Sequence, residues 1–157
     1  MFARLGQAPP AQGADVIARA VGAVALATLA MIHVIDLPGT LGPIPLVGAG
    51  YLGIIAAAVL VGWVMIAHSH WLVWAAAGGL AASAMGGYVL TRTVPGFLGD
   101  HGDVGNWRCS LGIAALTVET LLILLAAWQV RVRATRVAPQ PQREPARRRA
   151  PEYSHPG

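Results

Sequence analysis

The stretch Leu111-Gly-Ile-Ala-Ala-Leu-Thr-Val-Glu-Thr-Leu-Leu-Ile-Leu-Leu-Ala-Ala-Trp-Gln-Val130 decides the fold of this chain. Its 20 residues would form a helix of about 30 Å, which is the thickness of the hydrocarbon core of a bilayer. Glu119 is its only ionisable residue, and an ionised side chain at the centre of a bilayer costs at least ~2.5 kcal/mol. The stretch therefore predicts a membrane helix in which Glu119 needs a partner, a proton or water.

Three more apolar stretches, Val16–Ile35, Leu46–Ala67 and Trp71–Leu90, precede this one, which extends from Ser110 to Val130. The chain is 55% hydrophobic and only 11% charged, which is too apolar for a soluble domain. Apolar and polar residues do not alternate with a period of two, and this argues against a transmembrane β-barrel. We predict an all-α protein with a four-transmembrane-helix antiparallel bundle in residues 1–133.

The arginines predict how the helices are oriented, since the chain contains no lysine. Arg4 and Arg19 lie near the amino terminus, and seven arginines follow the fourth stretch, beginning with Arg131, Arg133 and Arg136. The first and third connections together hold only two arginines beside three aspartates. The positive-inside rule then places both termini in the cytoplasm. A cleavable signal peptide that includes Ala20–Ala30 is the alternative for the amino terminus, although apolar residues continue through Ile35.

The connections between the apolar stretches differ in length and composition. The turn at His68–His70 is short enough to require an antiparallel hairpin. Proline and glycine in Asp36–Pro45 predict an extended connection, and Thr93–Trp107 is the longest irregular segment. Residues 134–157 are rich in arginine and proline and predict a disordered basic tail. We expect that tail, together with Arg131 and Arg133, to be attracted to anionic lipid and not to nucleic acid.

Small residues predict packing surfaces on the third and fourth helices, and tryptophans at the ends of the stretches predict an aromatic belt. On the third helix, two adjacent ridges of small residues recur every four positions and predict close helix contacts: Gly79, Ser83 and Gly87, and Gly78, Ala82 and Gly86. On the fourth helix, Glu119 shares one face with small residues, which predicts that it faces other helices or a water-filled crevice. We expect an aromatic belt at the cytoplasmic boundary, formed by Trp63, Trp71, Trp74 and Trp128.

Glu119, His33 and Arg92 are the candidate functional residues, because each is a polar side chain within or at the end of an apolar stretch. Arg92 and His33 both lie nearer the outer boundary than Glu119, so a direct pair requires an inward reach or a bridging water. The structural alternative is that Glu119 is protonated and fixes the register of the helices through a hydrogen bond. The functional alternative is a role coupled to a proton or a ligand.

The segment between the third and fourth helices also offers metal ligands, in Asp100, His101 and Asp103. Their spacing matches no calcium loop or zinc site. A haem held by two histidines requires a second histidine at the depth of His33, and none lies in the apolar stretches. Cys109 is the sole cysteine, which excludes an intramolecular disulfide. We also find no motif of an enzyme active site, and we predict no catalytic residue and no cofactor.

Several short motifs resemble a group of small four-helix bacterial membrane proteins of unknown function. They are Ile32-His33, the segment Tyr88-Val-Leu-Thr-Arg-Thr-Val-Pro-Gly96, Gly105-Asn-Trp107 and the segment Leu111 to Glu119. The resemblance covers about residues 30–125 and implies a multi-pass protein of the bacterial cytoplasmic (inner) membrane. This chain lacks the second histidine and the acid that those proteins carry after the first helix. The resemblance therefore gives less support to a metal or haem site in this chain.

Three hypotheses for the function follow from these residues. The leading one is a non-enzymatic accessory or binding component of the lipid bilayer, acting in a membrane protein complex or as a homo-oligomer. The second is a small proton-coupled transporter that acts as an oligomer. The third is an outward-facing protein that handles a metal or haem.

Overall fold

The computed structural model describes residues 10–68 and 70–137, and it consists of four helices. They are α1 (Pro10–Leu41), α2 (Pro45–Ala67), α3 (Trp71–Thr93) and α4 (Ser110–Val137). Each apolar stretch of the sequence lies within one helix, and all four helices are long and apolar enough to cross a membrane. Arg4 and the tail from residue 138 onward lie outside the described residues.

The four helices share one apolar core. α1 packs against α2 and α4, and α3 packs against α2 and α4. Each helix contributes to the buried cluster, for example Leu26 from α1, Met65 from α2 and Leu122 from α4. Trp74 of α3 is fully buried within this cluster. The prediction that Trp74 belongs to an aromatic belt is therefore wrong, because its ring fills the space between the helices.

α1 ends later than its apolar stretch, and the predicted extended connection Asp36–Pro45 is wrong over its first six residues. The helix continues through Pro38 to Leu41, although a proline inside a helix removes one backbone hydrogen bond. Contacts with α2 hold this last part of α1 in place. The Tyr51 hydroxyl donates to Asp36 Oδ2 at 3.0 Å, and α2 passes close to Leu41 at Gly48. Only residues 42–44 remain to connect the two helices.

Glycine allows close approach at Gly48, which the sequence did not single out, and at Gly78, which belongs to one of the two predicted ridges of α3. A Cβ atom at Gly48 would lie 2.6 Å from Cα of Leu41, and one at Gly78 would lie 3.0 Å from Cβ of Ala126. At Gly79 and Gly87, in contrast, an added Cβ would have no heavy atom within 4 Å. The predicted helix contact at Gly79, Ser83 and Gly87 is therefore wrong. Helix periodicity places these residues on one face but does not say which face another helix covers.

The α3–α4 loop, residues 94–109, is held by hydrogen bonds of its own backbone and of Asp100. The Asp100 side chain is buried, and its Oδ1 accepts from the backbone N–H groups of Gly102 (3.0 Å) and Asp103 (3.2 Å). The N–H of Gly105 donates to the carbonyl of Arg92 at 3.0 Å, which ties the loop to the end of α3. Leu98 takes a positive φ of 52°, which is unfavourable outside glycine and needs this support.

α4 continues to Val137, so residues 134–137 are helical and do not belong to a disordered tail. Arg133 is only 12% exposed and forms an ion pair with Asp15 of α1. Asp15 also lies 3.3 Å from Arg19, whose Nη1 donates to the carbonyl of Ile66 in α2 at 3.0 Å. The prediction that Arg133 faces lipid is therefore wrong, because a carboxylate on the neighbouring helix draws its side chain inward. Arg131 is exposed, and the side chain of Arg136 lies outside the described residues.

Candidate functional site

A cavity of about 390 Å³ lies between the four helices, at the end where α1 and α3 finish and α2 and α4 begin. Its wall includes Ile32, His33 and Asp36 of α1, together with some of the residues between positions 47 and 54 of α2, 83 and 92 of α3, and 111 and 119 of α4. Phe97, Leu98 and Cys109 of the α3–α4 loop complete it. Most of these side chains are apolar or small, and Gly86 and Gly87 leave space that a larger residue would fill. A cavity of this size and character is typical of a small-molecule site.

Glu119 lies on this wall and is 1% exposed. It shares a buried face of α4 with Ala115, Leu122 and Ala126, so the prediction that Glu119 faces other helices is confirmed. Among the described residues, its Oε2 atom is buried and has no hydrogen-bond partner. A buried acceptor without a partner costs about 1–3 kcal/mol. The carboxyl group is therefore placed at the cavity without a protein group to satisfy that oxygen.

His33 lies on the same wall, at the end of the cavity formed by α1 and α2. Its ring is buried, and Nδ1 lies 2.9 Å from the carbonyl of Leu29. Because a carbonyl only accepts, Nδ1 carries the hydrogen, and Nε2 of the neutral ring is an acceptor. The ring also meets the edge of Tyr51, with centroids 4.9 Å apart. Tyr51 in turn donates to Asp36, a second carboxylate on the wall.

Arg92 is the only cation on the described wall of the cavity, and each of its three side-chain nitrogens has a partner. Nε donates to the carbonyl of Asn106 at 3.1 Å, Nη1 donates to Oγ1 of Thr91 at 2.8 Å, and Nη2 lies 3.4 Å from Asp103. The guanidinium also stacks on Tyr88, with Cζ 3.7 Å from the ring centroid. Arg92 therefore holds the α3–α4 loop against α3, an arrangement that stacking and multiple donors favour over lysine.

The structure brings Glu119, His33 and Arg92 to one cavity but does not join them. None of the hydrogen bonds or ion pairs found among residues 10–68 and 70–137 connects two of the three. Arg92 pairs with Asp103, so it is not the counter-ion of Glu119. The cluster predicted from the sequence is thus a set of separate groups around a common space.

The predicted metal ligands do not converge. Within the described part of the chain, no three side chains of His, Cys, Asp or Glu are close enough to hold a metal ion. Asp100 caps a turn, and Asp103 pairs with Arg92. The His101 ring lies over Gly96, where a Cβ atom would be 2.9 Å from Cε1. The three side chains therefore build the loop, and the proposed metal site at Asp100, His101 and Asp103 is not formed.

Two aromatic residues of the site, Tyr51 and Tyr88, were not predicted from the sequence. Tyr51 links His33 to Asp36, and Tyr88 supports the Arg92 guanidinium. The signal for Tyr51 was present, since its hydroxyl is the only one in the second apolar stretch. The signal for Tyr88 was its position one helical turn before Arg92, where side chains four residues apart meet.

Comparisons of this chain with protein-family models, with curated proteins and with solved structures found no match. The chemistry of the cavity therefore provides the basis for a functional proposal.

Proposed function

We propose that this chain is a non-enzymatic, multi-pass protein of the bacterial cytoplasmic membrane that binds a small molecule in the cavity beside Glu119. In this proposal the helices form an antiparallel bundle with both termini in the cytoplasm. The protein serves as an accessory or binding component, within a larger membrane complex or as a homo-oligomer. The resemblance to small four-helix bacterial membrane proteins is part of the same proposal.

The outer surfaces of the helices support insertion into a membrane. Many large apolar side chains are well exposed, for example Val24 (66%), Leu60 (63%) and Leu124 (63%). Lipid tails would cover these exposed apolar side chains, which water would solvate poorly. The lining of the cavity supports the antiparallel arrangement, because it combines the final parts of α1 and α3 with the first parts of α2 and α4.

The observation that carries the binding proposal is the buried Oε2 atom of Glu119, which lacks a partner on the wall of an apolar cavity. A residue that only fixed the register of the helices would be expected to bond to a neighbouring helix. A ligand that enters the cavity can supply the missing partner. In the proposed orientation the α3–α4 loop, which contributes Phe97 and Leu98 to the wall, lies on the outer side of the membrane.

The same observation favours proton-coupled transport as a second candidate. An oxygen without a protein partner can bind either a proton or the donor group of a ligand, and exchange between the two would couple their movements. Flux of the ligand into liposomes that depends on a proton gradient would favour transport. Saturable binding without such flux would favour the accessory role.

Two glycine substitutions on α3 test the proposed binding site. Gly86 lines the cavity and Gly79 does not, and an added Cβ at either position meets no heavy atom within 4 Å. We expect Gly86→Leu to abolish saturable binding of 1-naphthylmethanol in phosphatidylcholine nanodiscs, followed by its fluorescence. Gly79→Leu, the matched control, should bind as the wild type does. Equal binding by all three proteins would place the probe outside the cavity and contradict the proposal.

A further inference from the structure

Most hydrogen-bond donors on the wall of the cavity have partners within the protein, whereas at least one buried acceptor has none. Tyr51 donates to Asp36, Ser83 donates to the carbonyl of Leu80, and Thr91 donates to the carbonyl of Tyr88. Tyr88 donates weakly to the carbonyl of Trp107 at 3.5 Å.

Arg92 is partly engaged, since three of its five N–H groups, one on each nitrogen, have acceptors and its face is stacked on Tyr88. Asp103 also offsets its charge at 3.4 Å. An anionic ligand would have to share the guanidinium with these contacts. The single cation on the described wall is therefore poorly placed to attract an acid.

The groups that remain are acceptors. Glu119 offers an oxygen without a partner, and Nε2 of His33 is an acceptor when the ring is neutral. Asp36 adds a second carboxylate, of which Oδ2 is used by Tyr51. The wall therefore carries two carboxyl groups and one guanidinium, and the guanidinium is already paired with Asp103.

We propose that the cavity binds a lipophilic amine, with the ammonium group at the Glu119 carboxylate and the apolar body among the small and aliphatic side chains of the wall. The ammonium group supplies N–H donors to the Glu119 oxygen that has no partner among the described residues. A bare metal ion fits less well, because no group of three ligating side chains is found among the described residues. This inference rests on the proposed binding function and adds the class of ligand.

Three probes of the same shape test it: 1-naphthylmethylamine, 1-naphthylmethanol and 1-naphthoate. Binding to the full-length protein is measured at pH 7 in phosphatidylcholine nanodiscs, with Gly86→Leu as the blank for partition into lipid. A hydrogen bond to a charged group predicts that the amine binds roughly 10- to 100-fold more tightly than the alcohol. The carboxylate probe should bind more weakly than either. In Glu119→Gln, which preserves side-chain size, the advantage of the amine over the alcohol should fall to about twofold or less.

The outcomes separate this inference from the binding proposal. If the alcohol binds in a manner that requires Gly86 but the amine binds no better, the cavity is a binding site and the amine assignment is wrong. Preferential binding of 1-naphthoate would also overturn the assignment and point to Arg92. If no probe shows binding that depends on Gly86, both proposals fail. The comparison of probes on the wild type remains decisive even if Glu119→Gln does not fold.

Discussion

Glu119 combines two properties that conflict if its role is only structural. It is among the largest fully buried side chains of the protein, yet one of its oxygens lacks a hydrogen bond. Buried polar groups nearly always have partners, so an exception has a cost that function can explain. The threonines of the same helix show the usual solution, because Thr117 and Thr120 donate to their own backbone at 2.8 and 2.7 Å.

Replacement of Glu119 by leucine distinguishes a structural role from a binding role. Leu is similar in size and removes the unpartnered oxygen, so we expect Glu119→Leu to stabilise the protein, by up to about 1–3 kcal/mol. The same variant should lose the preference for the amine probe. Glu119→Ala should be less stable than Glu119→Leu, because it leaves an enlarged cavity. Thermal unfolding in detergent measures both effects. A clear loss of stability in Glu119→Leu would show that the carboxyl group braces the helices.

At the scale of the helices, close contacts at glycine position α2 against α1. Gly48 is buried, and a Cβ atom added there would lie 2.6 Å from Cα of Leu41. Gly53, on the same helix, is exposed, and a Cβ atom added there would meet no heavy atom within 4 Å. The first contact involves backbone, which cannot move aside as a flexible side chain can. The same part of α2 carries Tyr51, so the fit of Gly48 also places one wall of the cavity.

Alanine at these two glycines should therefore have opposite effects. We expect Gly48→Ala to destabilise the protein by about 1–3 kcal/mol through overpacking. It should also weaken binding of the probes, because Tyr51 and His33 would move apart. Gly53→Ala should be neutral or stabilising, by up to about 1 kcal/mol, since alanine favours a helix. Thermal unfolding of the two variants tests this, and equal effects would mean that the contact at Leu41 is not close.

Hydropathy predicted the four helices and the bounds of α2, but not the ends of α1 and α4, which continue beyond the apolar stretches. Apolar runs identify the part of a helix that lipid or core can cover, and each run lies inside one helix. The ends depend on contacts between helices that are distant in sequence. The hydrogen bond from Tyr51 to Asp36 supports the end of α1, and the ion pair between Arg133 and Asp15 supports the end of α4. For the same reason the sequence identified Glu119, His33 and Arg92 but not the partner of Arg92, which the fold of the α3–α4 loop supplies.

Across the whole molecule, the two ends of the helices carry different chemistry. One end holds the cavity, with Asp36 and Arg92 on its wall, and the α3–α4 loop, which carries Asp100 and the Arg92 partner Asp103. The other end holds the ion pairs of Arg19 and Arg133 with Asp15, and the chain then continues into an arginine-rich segment. An excess of arginine on one side favours retention of that side in the cytoplasm.

The single cysteine makes this orientation directly measurable. Cys109→Ser removes the only thiol, and a new cysteine can then be placed at Gly102 in the α3–α4 loop or at Ala134 near the end of α4. Both positions are exposed. In spheroplasts, a membrane-impermeant maleimide should label Gly102→Cys and leave Ala134→Cys unmodified, because in the proposed orientation the loop faces outward and the end of α4 faces the cytoplasm. Lysis should allow both to react, which shows that neither thiol is shielded by the fold. The reverse pattern in spheroplasts would invert the topology and place the α3–α4 loop on the cytoplasmic side. Labelling of both before lysis would contradict a four-span arrangement.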